Sequence, residues 1–319
     1  MKLAVAGAGA IGGYIGAKMA RAGYDVTLFA RGLHFEAMRD RGVRVRSKEG
    51  DFEVRPPVTD SLESIGPVDV VFLGIKAHSL PALAPRLPAV LGPETIVVSL
   101  QNGIPWWYFE GAGHLEAVDP GGCIAAAIEA RRVIGSIVYL STEITEPGVI
   151  RHNEGNRLTI GEPDGARSER CRLVSETLVR SGLRAPITTH IRQEIWVKLL
   201  GNIAFNPISA LTGATLVQMA RDRQVSTLVR AIMAETETVA GKLGISMPIT
   251  IDQRIAGAEK VGEHKTSMLQ DLEAGRPLEL EAIVGAVLEL GERLGIAMPH
   301  THAVYACAKM LEKRRWGVQ

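Results

Sequence analysis

The chain opens with an apolar run, Leu3–Ala6, passes through Gly7-Ala8-Gly9-Ala10-Ile11-Gly12, and runs straight on into a helical stretch, Ile11–Ala22. No other feature constrains the fold as much as these three glycines. The first two, lacking side chains, permit a tight turn and let a pyrophosphate approach the helix N–H groups; the third lets helix and strand pack closely. An ordinary glycine-rich turn could have the same composition. The preceding strand and following helix of a βαβ unit are what make Gly7, Gly9, Ala10, Ile11 and Gly12 a dinucleotide-binding expectation.

The alternation continues through Asp25–Ala30, Val68–Leu73 and Thr95–Leu100, which predicts a parallel sheet with crossover helices. A short strand pair is expected between Val43 and Val54, with more strands around Cys123–Glu129, Ser136–Leu140 and Gly148–Ile160. From His190 onward nearly everything has helical period, including Val225–Leu243, Glu279–Leu294 and Pro299–Arg314. The expected architecture is an α/β N-terminal Rossmann-type parallel-sheet domain over residues 1–187, followed by an all-α C-terminal domain over 188–319. A chain of 319 residues is long enough for two such cores.

Composition removes several function classes. With 36 Lys+Arg against 35 Asp+Glu the formal charge is +1, so no field of one sign draws in nucleic acid or an anionic membrane. The three cysteines, Cys123, Cys171 and Cys307, form no Cys-x-x-Cys pair, which argues against a disulfide scaffold or thiolate metal site and fits a reducing compartment. The glycines of the N-terminal run speak against a signal peptide, and Leu199–Ala220 is too polar to cross a bilayer. A cytoplasmic protein is expected. No metal is expected either: His300-x-His302 is the nearest approach to a ligand pattern, and its side chains diverge on a helix.

An NAD-binding unit of this type usually carries an acid about 20 residues beyond the glycines to grip the ribose 2′-hydroxyl. Here the second strand ends in Arg31. A guanidinium there suits a 2′-phosphate and favours NADP, although a solvated surface arginine would read the same. Lys76 and Asn102-Gly103 follow the strands Val68–Leu73 and Thr95–Leu100, at the carboxyl ends where ligands of open α/β sheets bind.

In Ile195–Pro207 three polar residues, Lys198, Asn202 and Asn206, recur at four-residue steps in an otherwise apolar helix. That stripe needs partners or a ligand. A lone lysine is ordinarily a solvated group; with two asparagines on a buried helix it becomes a candidate proton donor, its pKa lowered by burial and raised by neighbouring carboxylates. Ser267 with Gln270 fits a capping box, and its hydroxyl could instead hold a substrate carboxylate. Glu279 lies near a helix start, where the dipole favours an acid whatever its role.

Taken together, the glycine motif with Arg31, Lys76, Asn102-Gly103, the Trp196-x-Lys198-Leu199-x-x-Asn202-x-x-x-Asn206 helix, and Ser267-Met268-Leu269-Gln270-Asp271 followed by Glu279 resemble the ketopantoate reductase family over nearly the full length. The resemblance implies NADPH-dependent reduction of a 2-keto acid in the cleft between a Rossmann domain and a helical one. It implies Lys198 as general acid and Glu279 as the group orienting substrate and lysine. Asn202, Asn206 and Ser267 would bind substrate, Asn102 would lie by the nicotinamide, and Arg31 with Lys76 would hold the 2′-phosphate. The chain departs from well-known members at Leu216 and Val284, where they often have asparagine, and in the aromatic run Trp106–Phe109. Four consecutive aromatics are expected to leave at least one ring facing the cleft or a partner subunit, the alternative being that they only pack the seam between the domains. The expected partner is a small 2-keto acid, ketopantoate first; the oligomeric state is not specified by any residue, a homodimer being one assembly open to the chain. The rivals are another NADP-dependent hydroxyacid or opine-type dehydrogenase, and a non-catalytic NADPH sensor, which would have no need of a proton donor.

Overall fold

The computed structural model describes residues 1–109 and 113–317. The chain divides into two compact units, one formed by Met1–Gln101, Trp107–Ala112 and Gly121–Ile191, the other by Asn102–Trp106, Gly113–Pro120 and Arg192–Gln319. The division along the chain therefore comes at 191/192, where 187/188 was expected, and the second unit also takes two short segments from the first half.

In the first unit the strands are β1 (Lys2–Ala6), β2 (Asp25–Phe29), β3 (Val43–Ser47), β4 (Phe52–Val54), β5 (Val58–Thr59), β6 (Val68–Leu73), β7 (Leu91–Ser99), β8 (Val133–Glu146) and β9 (Val149–Gly161). They form a single sheet in the order β4-β3-β9-β8-β7-β6-β1-β2-β5. All neighbours are parallel except β3 with β4 and β8 with β9. Central strands of a sheet covered on both faces must be apolar on both sides. Leu3, Ala4, Val5 and Ala6 in β1 are accordingly all fully buried, as are Val71, Phe72 and Leu73 in β6. The antiparallel pair β8 and β9 turns at Pro147-Gly148, where Gly148 takes φ +82°.

The helices of this unit are α1 (Ala10–Arg21), α2 (Gly32–Arg41), α3 (Leu80–Leu83), α4 (Cys123–Ala127) and α5 (Glu169–Arg180). The expected strand pair between Val43 and Val54 is present as β3 and β4. The expected strand at Cys123–Glu129 is instead the helix α4, because Cys-Ile-Ala-Ala-Ala carries the strongest helix former three times over.

The second unit is helical: α6 (Ile191–Thr212), α7 (Leu216–Arg221), α8 (Arg223–Lys242), α9 (Ile251–Val261), α10 (Ser267–Glu273), α11 (Ala286–Arg293) and α12 (Pro299–Trp316). One turn of π-helix, Glu281–Gly285, leads into α11. Its helices are held by caps as well as by packing. Thr250 and Gln253 close a reciprocal capping box on α9, and the Asp222 carboxylate accepts the N–H groups of Gln224 and Val225 to start α8. The segment 113–120 is tied in by Glu289, whose carboxylate accepts the backbone N–H groups of Glu116 and Ala117.

Candidate active site

At the N-terminus the sequence folds as its glycines require. Gly7 has φ +102°, and a Cβ there would lie 2.8 Å from the Ile75 backbone nitrogen. At Gly12 a Cβ would overlap the Gly7 carbonyl oxygen, so only glycine lets α1 come this close to the turn. Gly9 meets nothing within 4 Å in the Cβ direction, which leaves open space before the first turn of α1. That turn has no side-chain cap, while the N–H groups of Gly7 and Ala8 are already taken by the Phe29 carbonyl oxygen. The N–H groups of Ala10, Ile11 and Gly12 thus head a helix end whose positive dipole favours an anion.

Two cations lie at strand ends of the same unit. Arg31 follows β2 as the N-cap residue of α2 and is exposed. Lys76 follows β6, half-buried, at the start of a short 3₁₀ turn. An open glycine cradle, an uncapped helix end and an exposed guanidinium where an acid would otherwise stand fit a dinucleotide carrying a 2′-phosphate.

In the second unit three side chains separated widely in sequence form one hydrogen-bonded line. Lys198 Nζ donates to Asn102 Oδ1 at 2.7 Å, and Asn102 Nδ2 donates to Glu279 Oε2 at 3.1 Å. Lys198 and Asn102 are partly buried and Glu279 is 5% exposed. Burial lowers the Lys198 pKa from its ordinary range to about 8; Glu279 pulls it back up and Arg254 pushes it further down.

The backbone holds this line from two sides. Lys198 sits on α6, while Glu279 immediately precedes the helical run that passes into the π-turn. The Ala282 carbonyl oxygen in that π-turn accepts the Ile104 N–H at 2.9 Å. Gly103, at φ +82°, lies so close that any Cβ would overlap the same carbonyl. Asn102 is therefore pinned against Glu279 by the two residues that follow it. Behind the turn the Glu281 carboxylate takes Tyr305 Oη at 2.9 Å and Lys309 Nζ at 2.7 Å, anchoring it to α12. A π-turn of this kind is a frequent mark of functional sites.

The other expected residues are distributed as follows. Asn202 and Asn206 lie on α6 at one and two turns from Lys198. Asn206 is 4% exposed, and its Nδ2 has no hydrogen-bond partner among the described residues. Ser267 is exposed and is not the cap of α10; Thr266 is, accepting the Leu269 N–H at 3.2 Å, while Gln270 reaches the Lys265 carbonyl oxygen. The capping-box reading of Ser267 is thereby corrected: two adjacent hydroxyls compete for one helix start, and the earlier one takes it. Asn102, expected beside a nicotinamide, is the link between the lysine and the glutamate.

The aromatic run folds as a 3₁₀ turn, Trp106–Phe109. Trp106, Trp107 and Tyr108 are all at least 94% buried and Phe109 is half-buried, so three of the four rings pack inward and Phe109 is the one left partly open. Trp107 fills the space over Gly135, whose Cβ would lie 2.7 Å from the indole ring. Glycine on the facing strand is what makes room for a ring of that size.

One side chain near the lysine had no motif to reveal it. The Arg254 guanidinium lies against Gly201, three residues beyond Lys198 on α6, where any Cβ would overlap it. A glycine inside a buried helix, costing about 1 kcal/mol against alanine, was the only trace of that approach in the sequence.

The class these two units define is that of the dinucleotide-dependent oxidoreductases. Comparison with known proteins narrows it. Residues 3–165 match the family model described as ketopantoate reductase PanE/ApbA, and residues 190–312 match the model of its C-terminal part. The chain is 48% identical over 323 residues to a 2-dehydropantoate 2-reductase of Mesorhizobium japonicum, covering 99% of each chain. A solved structure of a 2-dehydropantoate 2-reductase from Geobacter metallireducens superposes with a TM-score of 0.87 at 30% identity, over 98% of this chain and 100% of the other. D-mandelate dehydrogenase, at 22% identity and a TM-score of 0.87 over 99% of each chain, shares the fold. The chain belongs to the ketopantoate reductase family. Among the described residues no helix is long and apolar enough to cross a membrane.

Proposed function

We propose that this chain reduces a 2-keto acid to the 2-hydroxy acid with NADPH, and that the substrate is 2-dehydropantoate, as named for its relative from Mesorhizobium japonicum. The observation that carries the reading is the line from Lys198 through Asn102 to Glu279. The chemistry that NADPH supplies when bound is a hydride for the keto carbon.

Lys198 polarises the keto oxygen with its ammonium and then gives up a proton to the alkoxide that forms. A pKa of about 8 keeps the lysine mostly protonated at neutral pH while making it a stronger acid than an exposed lysine. Glu279 attracts the ammonium charge, and Asn102 fixes the ammonium in direction by accepting one of its three N–H bonds. Asn206, with its buried amide nitrogen unpartnered among the described residues, has a donor to give a substrate oxygen. Asn202 on the same stripe and the exposed Ser267 hydroxyl bind the rest of the substrate. At the nucleotide, Gly7, Gly9, Ala10, Ile11 and Gly12 receive the pyrophosphate, and Arg31 with Lys76 holds the 2′-phosphate.

The test is NADPH oxidation by the purified protein over a panel of 2-keto acids, with the product identified by mass. The expected result is the highest kcat/KM for 2-dehydropantoate and formation of pantoate. A higher kcat/KM for another 2-keto acid would replace the substrate; no turnover of any would remove the reading.

A further inference from the structure

The Arg254 guanidinium is held on the Lys198 face of α6 more firmly than a surface arginine would be. Its Cα is fixed by the first turn of α9: Thr250 Oγ1 accepts the Gln253 N–H at 3.1 Å, Gln253 Oε1 accepts the Thr250 N–H at 2.8 Å, and the Arg254 N–H reaches the Thr250 carbonyl oxygen at 2.9 Å. Asp252 ties the same turn to α8 through Arg230 at 2.7 Å. Beyond that turn Ile255 and Ala258 are buried, so α9 cannot roll freely about its axis. The side chain then runs to Gly201, and its Nη2, Cζ and Nε all lie where a Cβ at 201 would be.

Position 201 is three residues from Lys198, so on a 3.6-residue helix the two are neighbours on the helix surface. Two cations so placed repel each other, and Arg254 is indeed among the groups that push the lysine's pKa down.

We propose that Arg254 binds the carboxylate of the substrate, and that Gly201 is glycine so that the planar guanidinium can lie against α6 with its N–H edge turned to that carboxylate. The assignment rests on the 2-keto acid reading above. In a 2-keto acid the carboxylate is bonded directly to the keto carbon, so once Lys198 is on the keto oxygen the carboxylate must fall within a few ångströms of the lysine. The planar fork of arginine matches a carboxylate with two parallel N–H···O bonds, which a lysine cannot do. Arg254 thereby sets specificity for acids over neutral ketones, whereas the asparagines and Ser267 offer only neutral groups.

The test compares 2-dehydropantoate with its neutral primary amide in wild type and in Arg254→Gln, with NADPH affinity measured separately. The wild type should favour the acid, and Arg254→Gln should raise the KM for the acid about 10- to 100-fold, the worth of a lost charge-assisted pair, with a much smaller change in kcat. Activity on the amide should stay within a few-fold, and NADPH affinity should not change. Arg254→Lys, which keeps the charge without the fork, should recover only part of the preference. If Arg254→Gln does not fold, Gly201→Ala, which displaces the guanidinium while keeping it charged, should lower the acid-to-amide ratio in the same way. A ratio unchanged in the variants that fold, or an equal loss on acid and amide, overturns the assignment while leaving the reductase reading intact. Failure of the wild type to turn over any 2-keto acid removes that reading and this assignment with it.

Discussion

Among single residues, the proposed reduction turns on the charge of Lys198, whose sign can be tested by pH. A general acid works only while it holds its proton, so kcat/KM for reduction should be level below about pH 8 and fall tenfold per unit above it. Glu279 raises the lysine's pKa, so Glu279→Gln should shift that alkaline limb to lower pH as well as reduce turnover. A limb that stays in place in the Gln variant would remove Glu279 from the lysine's environment. At the nucleotide end Arg31→Ala should erase most of the preference for NADPH, about tenfold to a hundredfold, read as the ratio of kcat/KM for the two cofactors. Equal use of NADH and NADPH by the wild type would remove that role. Lys198, Asn202 and Asn206 were legible in the sequence because helical spacing is a local code. The link through Asn102 was not: Asn102 and Lys198 stand 96 positions apart, and no spacing rule joins a lysine to an asparagine across that distance. Arg254 was equally hidden, one arginine among many, marked only by the glycine it rests on.

Among the elements, the strongly patterned ones could be read and the ambiguous ones could not. β1 and α1 were legible from glycine geometry, and β6 from a short β-branched run of strand length. The strand expected at Cys123–Glu129 turned out to be α4, since a short alanine-rich apolar run has no periodicity to separate strand from helix. The π-turn at Glu281–Gly285 leaves no signature in sequence, yet its Ala282 carbonyl sets Asn102 in place. In the aromatic turn three of the four rings are buried, and Trp107 takes the hole that Gly135 leaves for it, a fit that no local pattern shows. Trp107→Ala should therefore empty a core site and destabilise the protein by about 3–5 kcal/mol, measured by denaturant titration. The relative activities on small and bulky 2-keto acids should keep their order. A changed order at unchanged stability would return that ring to the pocket.

For the whole molecule, the two-part plan was visible as a change of texture from alternating runs to helical period, because each kind of core imposes its own repeat. What that change could not show is that residues 102–106 and 113–120, though they lie in the first half of the sequence, belong to the helical unit. This is how Asn102, at the end of a sheet strand's loop, comes to serve a lysine on α6. If the helical unit supplies the proton for the reduction, single-turnover NADPH oxidation with 2-dehydropantoate should separate wild type from Lys198→Ala, with NADPH binding measured for each. The variant should bind NADPH as the wild type does and reduce the substrate about 10²- to 10⁴-fold more slowly. A folded variant that turns over at the wild-type rate would contradict that role for the helical unit.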